Sequence, residues 1–179
     1  MAIVSLDDAK RQLNIDVDDT SQDAELQRYI DAVTAPLERE LGRVVEPRTV
    51  SEHITIPRAV TSFLLGAVPV LSLTSLAALD GSRTWSVAAG DVHVDAESGR
   101  VTSLTGASFT GDLIALYQAG MVPVPANVQL SGLIIIQHLW ETQRGRAGAV
   151  LGGESPVPAG YAIPNRAAEL LGTTLPGIA

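Results

Sequence analysis

The hydrophobic period of this chain changes twice, and that limits the folds open to it more than any other feature. Leu26, Ile30, Val33, Leu37 and Leu41 recur at i, i+3/i+4 spacing and end at Gly42, a favoured helix stop. Beyond Val44 the period falls to two: Val50, Glu52, Ile54 and Ile56 alternate with Ser, His and Thr. Past Pro125 the helical period returns in VQLSGLIIIQHLWETQR. A chain reading helix, then strands, then helix predicts an α+β protein with a β segment inserted into a helical core. The expected boundaries are 1–43 and 112–179 for the core with a C-terminal arm, and 44–111 for the insertion.

Local signals fill in the elements. Ser5 and Asp8 form a capping-box-like start for a short helix carrying Leu6, Ala9 and Leu13. The acidic run Asp16–Asp19 breaks it, and Thr20 or Ser21 is placed to cap the long helix that follows. Pro36 lies inside that helix and predicts a kink without an end, since the apolar stripe stays in phase through Leu37 and Leu41. Between 44 and 117 about six short strands are expected. Asp80-Gly81 and Glu97-Ser98-Gly99 mark hairpin turns, which makes the sheet antiparallel. Pro125 suits the first turn of a helix over 125–144, apolar nearly all round between Leu130 and Trp140 and so expected to be the most buried element. Residues 145–163 are rich in Gly, Pro and Ala and read as an irregular arm; Pro164–Leu171 makes a last short helix stopped by Gly172.

Composition narrows the chemistry. The 179 residues include no cysteine, which removes disulfides, thiolate metal sites and cysteine nucleophiles. Only 4% are aromatic, so Leu, Ile, Val and Ala are expected to build the core. Twelve Lys+Arg against twenty Asp+Glu leave a net charge of −8, which disfavours adhesive binding along nucleic acid. Among the cations Lys10 is the single lysine. The opening MAIVSLDDAK has no cationic flank before an apolar run, and Leu133–Ile136, the longest apolar stretch, is too short for a bilayer; a secretory signal and a membrane span are not expected.

Three constellations invite a chemical reading, and each has a plainer one. Asn14, Asp16, Asp18 and Glu25 fall at ligand positions of an EF-hand loop, but Asp19 and Ser21 stand where that loop needs glycine and an apolar residue. A solvated helix–helix turn is the preferred reading. Asp91, His93 and Asp95 share one face of a strand and would suit a divalent metal, or equally a polar outer face. His138, with Trp140 and Glu141, sits on the second long helix, where a histidine is usually structural; His53 has no partner nearby in sequence. Arg144 and Arg146 follow that helix and complement its dipole, or contact an acidic partner or DNA phosphate. No catalytic residue, cofactor or metal is assigned. The contact surface is expected at Trp140, Arg144, Arg146, Val150, Leu151, Tyr161 and Ile163.

The order of segments resembles a known family. The opening carries Leu6, Ala9, Lys10 and Leu13, then Asp18, Asp19, Asp23 and Leu26, then Glu38, Gly42 and Arg43. This is similar to the start of head-to-tail connector (adaptor) proteins of long-tailed bacteriophages. The passage LIALYQAGMVPVPANVQLSGLIIIQHLWETQRG resembles the family's strand and final helix, and PVPAGYAIPNRAAELLG resembles the end of versions from phages of actinobacteria. Together these cover the first quarter and the last third of the chain. The resemblance implies a structural virion protein at the head–tail neck, made in the host cytoplasm. It implies a dodecameric ring below the portal protein that passes DNA without sequence-specific binding and docks a stopper or tail-completion protein. A head decoration protein, a tail terminator and a metal-dependent enzyme are the competing readings. The large β segment departs from the shortest family members.

Overall fold

The structure, a computed structural model, describes residues 3–143 and 163–172. It is α+β: among the described residues there are four helices and seven strands in two antiparallel sheets. The chain divides into two compact units, one of residues 43–123 and one formed by the segments on either side.

The flanking unit is helical. α1 (Leu6–Gln12) begins as its sequence dictates: the Ser5 hydroxyl oxygen accepts the Asp8 N–H at 3.1 Å, satisfying one of the donors a helix start leaves open. α2 (Asp23–Leu41) runs through Pro36 and ends at Gly42 in the left-handed conformation. Its stripe Leu26, Ile30, Val33 and Leu37 is fully buried. The N-cap is Gln22, with no side-chain cap; Thr20 and Ser21 do not serve because the turn uses Asp19 to accept the Ser21 N–H. α3 (Ala126–Gln143) starts one residue after Pro125, whose carbonyl accepts from the Val128 and Gln129 N–H groups. α4 (Asn165–Leu171) packs on α3, where the Ser131 hydroxyl donates to Ala167 O and Asn127 Nδ2 to Leu170 O.

The expectation that α3 is buried all round needs correction. It buries one face only, through Val128, Ser131, Gly132, Ile135 and Ile136, while Leu130 is 43% exposed and Leu133 and Ile134 are half-buried. α1, α2 and α4 all pack on it, and Leu130 is the apolar position that stays exposed. On the covered side Gly132 lets the segment before α1 and the α2 side chain Leu37 come close: a Cβ there would lie 3.0 Å from Val4 Cγ2 and 3.5 Å from Leu37 Cδ1.

The other unit holds β1 (Arg48–Val60), β2 (Ser62–Leu64), β3 (Val70–Ala78), β4 (Thr84–Trp85), β5 (Val92–Val94), β6 (Arg100–Ser103) and β7 (Phe109–Ala119). One sheet has the order β1-β7-β3-β4 and the other β2-β6-β5. There are seven strands rather than six, and β1 and β7 are long rather than short. β7 pairs with β1 on one side and β3 on the other, and it lies wholly in the 43–123 unit. The aliphatic expectation for the core holds in both units: Leu26, Ile30, Val33, Leu37, Ile135 and Ile136 in the helical one, and Val44, Ile56, Leu65, Val70, Leu76, Val92, Val101 and Leu113 in the β one. The few aromatics of the β unit join its cluster: Phe63 and Phe109 meet edge-to-face at 4.9 Å, Trp85 lies 5.3 Å from Phe109, and Tyr117 is fully buried.

Candidate functional site

The acidic turn between α1 and α2 is organised around a side chain. Lys10, 2% exposed, donates from Nζ to Val17 O at 2.9 Å and pairs with Asp23 Oδ1 at 2.6 Å. Asp16 accepts the Asp18 N–H and Asp19 the Ser21 N–H; the Ser21 side chain first, and then its backbone N–H, hold the Asp19 carboxyl below its ordinary range. Asn14 takes a positive φ of 57°, a conformation asparagine tolerates. These carboxylates fold back on their own backbone instead of converging on a common point.

The same holds in the β unit. Asp91 accepts the Ser86 N–H at 3.0 Å; Asp95 accepts both the Ser98 N–H and hydroxyl, at 2.8 and 2.6 Å. Those Ser98 bonds, with His93 nearby, lower the Asp95 pKa. His93 itself is exposed opposite Thr102. His53 lies 3.5 Å from Asp112, whose carboxylate also accepts the Thr55 hydroxyl at 2.7 Å. His138 is exposed, and Glu141 accepts from Gln137 Nε2. Among the described residues no group of three or more His, Asp or Glu could hold a metal ion.

Sequence reasoning missed one network. The Glu52 carboxylate accepts the Gly66 N–H at 3.0 and 3.1 Å and the Tyr117 hydroxyl at 2.6 Å, while that hydroxyl accepts the Ala67 N–H at 3.0 Å. Burial and the carboxylate push the Tyr117 pKa up to about 12. The signal was available: strict alternation puts Glu52 on the inward side with Val50, Ile54 and Ile56. A carboxylate there requires donors, and the segment at 66–67 supplies them.

Of the expected contact residues, Trp140 packs edge-to-face on Tyr29 of α2 at 6.0 Å, and Ile163 is half-buried just before α4. Arg144, Arg146, Val150, Leu151 and Tyr161 lie outside the described residues. What the structure adds is a groove of about 390 Å³ on the helical unit. Arg28, Tyr29, Ala32 and Pro36 of α2 line it with Leu139 and Gln143 of α3. The Tyr29 hydroxyl stands 3.2 Å from Glu25 Oε1 and 3.3 Å from Gln143 Oε1. Beside the groove on α3, Leu130 is exposed and Leu133 and Ile134 are half-buried.

The model of the head completion protein family matches residues 2–173, and the chain belongs to that family, whose members are structural virion proteins and not enzymes. No curated protein matches the sequence. The fold is similar to a chain in a structure described as the neck of an empty GTA particle computed with C6 symmetry (TM-score 0.65, 18% identity, 93% of this chain and 86% of that one). It is also similar to a chain of the virion of a native gene transfer agent particle (TM-score 0.66, 16% identity, the same coverage). A third likeness is to the neck of a native GTA particle computed with C12 symmetry (TM-score 0.56, 17% identity, 73% and 76% covered). The actinobacterial-phage subtype finds no support in these matches. No helix among the described residues is long and apolar enough to cross a membrane.

Proposed function

We propose that this protein is a neck subunit that closes into a ring below the portal of a filled head, conducts DNA, and presents a platform to the next neck or tail-completion protein. The observation that carries this reading is membership of the head completion family over nearly the whole chain, joined to a fold shared with neck chains of particles solved with C6 and C12 symmetry.

The chain's physics supports it. A closed ring of identical subunits uses heterologous contacts, which need two different surfaces on each copy. The α2–α3 groove and the Leu130/Leu133/Ile134 stripe of α3 provide two. A net charge of −8 suits a conduit for DNA, which carries one negative charge per about 1.7 Å and would slide along an acidic wall rather than adhere. Arg144 and Arg146 are assigned to acids of an adjacent copy. Mass measurement across a concentration series tests the ring, with oligomers of six- or twelve-fold multiplicity expected. Labelled protein located on particles by electron microscopy should sit at the neck; label spread over the shell would make it a decoration protein instead.

A further inference from the structure

We infer that the free edge of β1 receives an extended segment of a different neck protein, which adds to the sheet as a further strand; this rests on the neck reading above and names the surface through which the next component is held.

β1 is the outermost strand of its sheet, and among the described residues β7 is its only neighbour. Which of its backbone groups face outward follows from β7. The Leu79 N–H donates to Asp112 O, and the Gly120 N–H donates to Pro69 O. The even-numbered positions along β7 and just past it thus turn their backbone toward the β3 side. The odd-numbered ones turn toward β1, and the Met121 N–H, which donates to Val45 O, keeps the same alternation. The register pairs Ala119, Tyr117, Ala115, Leu113 and Gly111 with Arg48, Val50, Glu52, Ile54 and Ile56. Those five residues of β1 bond β7. Thr49, Ser51, His53 and Thr55 are left with N–H and C=O groups that point away from the sheet.

Sheet edges are normally blunted, because an open row of backbone donors and acceptors recruits another strand. The other edge strands here are short: β2, β4 and β5 run three, two and three residues. The stretch of β3 that β4 leaves uncovered carries register shifts between Val70 and Ser72 and between Leu73 and Ser75. β1 is regular over 48–56, and its own irregularity and Pro57 come only after Ile56. Its four outward positions hold two threonines, a serine and a histidine, all exposed, with no lysine, acid or proline among them. A regular edge of seven residues, about 24 Å long, is left open.

The occupant is a strand of another protein and not of a second copy. The remaining described edges are too short or too irregular to match seven residues. β1 laid against β1 is a two-fold contact, whereas a cyclic ring joins its copies through heterologous ones. Side chains define what fits. Val50 and Ile54 are half-buried at the margin of the buried cluster, so the added strand turns apolar residues to that face. Thr49, Ser51, His53 and Thr55 line the opposite face and call for polar ones. Arg58, exposed beyond the last regular pair, puts a cation at one end of the open stretch on a chain of net charge −8. The matching segment is extended, alternates apolar and polar residues, and carries an acid at that end.

Amide hydrogen exchange, resolved by residue, is measured on the isolated full chain, on rings of the purified protein, and on tailed particles. In the isolated chain Thr49, Ser51, His53 and Thr55 should exchange freely while Val50, Glu52 and Ile54 are protected. In tailed particles the four should slow by about tenfold or more, and in rings of the purified protein they should stay fast. Ser51→Pro removes an outward N–H and no bond to β7, and Ser51→Lys blunts the edge with every backbone bond kept. Both should keep the melting temperature and the ring and lower the yield of tailed particles by about tenfold or more. The lysine variant decides if the proline disturbs the fold. Outward amides protected already in the isolated chain or in purified rings, or fast in tailed particles, overturn the edge assignment and leave the neck reading intact. Full tail yield from heads carrying Ser51→Lys rings does the same. Wild-type protein that microscopy finds away from the neck overturns the neck reading and the inference with it.

Discussion

Two buried polar residues set the chemistry at the smallest scale. Lys10 neutralises the acidic turn from inside, and removing its ammonium strands Val17 O and leaves Asp23 without its partner. Asp23 keeps partial contact with water, so the loss is less than for a fully buried pair. Lys10→Met should cost about 1–3 kcal/mol, read by denaturant melts. An equal or higher midpoint would show the ion pair to be dispensable. Tyr117 joins β7 to β1 and to the 66–67 segment through a single hydroxyl. Tyr117→Phe leaves the Ala67 N–H unpaired and should cost about 1–3 kcal/mol. Its pKa, raised to about 12 from an ordinary 10, also fixes a pH window. The unfolded chain ionises first, so this contribution is complete below pH 10 and fades as pH rises towards 12. Alkaline melts should show that limb in the wild type and lose it in Tyr117→Phe.

Among the elements, α2 and the end of β7 carry the sharpest expectations. Pro36 removes a backbone bond from a helix otherwise well patterned, so Pro36→Ala should raise stability by about 1–3 kcal/mol. A fall in melting temperature would mean that the proline's shape is required where it lies. Gly120 has φ 143°, and a Cβ there would sit 2.5 Å from Pro47 Cα. Since backbone cannot rotate aside as a side chain can, Gly120→Ala should cost about 2 kcal/mol or more, visible in the same melts. The helices were legible because each is local: Ser5 caps, Leu26 to Leu37 face inward, Gly42 stops. The hairpin turns at Asp80-Gly81 and Glu97-Ser98-Gly99 were legible for the same reason. β2 and β4, of three and two residues, are too short to show a period and exist because Val101 and Leu76 lie opposite them. The groove was invisible to periodicity because it is made by two helices far apart in sequence, from residues on the edges of their buried faces.

For the molecule as a whole, the independence of the β unit is the feature to test. Its buried cluster, from Val44 through Trp85 and Phe109 to Ala119, is complete within residues 43–123 and draws on both sheets. A segment with its own core should fold alone. Residues 43–123 expressed by themselves should therefore give a cooperative thermal transition followed by tryptophan emission, since Trp85 is the single tryptophan there and lies against Phe109. A broad, non-cooperative melt would show that the flanking helices are needed.

The solitary lysine has a practical corollary in labelling chemistry. Acylating reagents meet one side-chain amine in the whole chain, and it is inaccessible while it grips Val17 and Asp23. Its acylation rate therefore reports how often the α1–α2 corner opens, residue-specifically and without any engineered probe. Mass spectrometry of the Lys10 peptide, before and after assembly, would read directly whether the neighbouring subunits lock that corner shut.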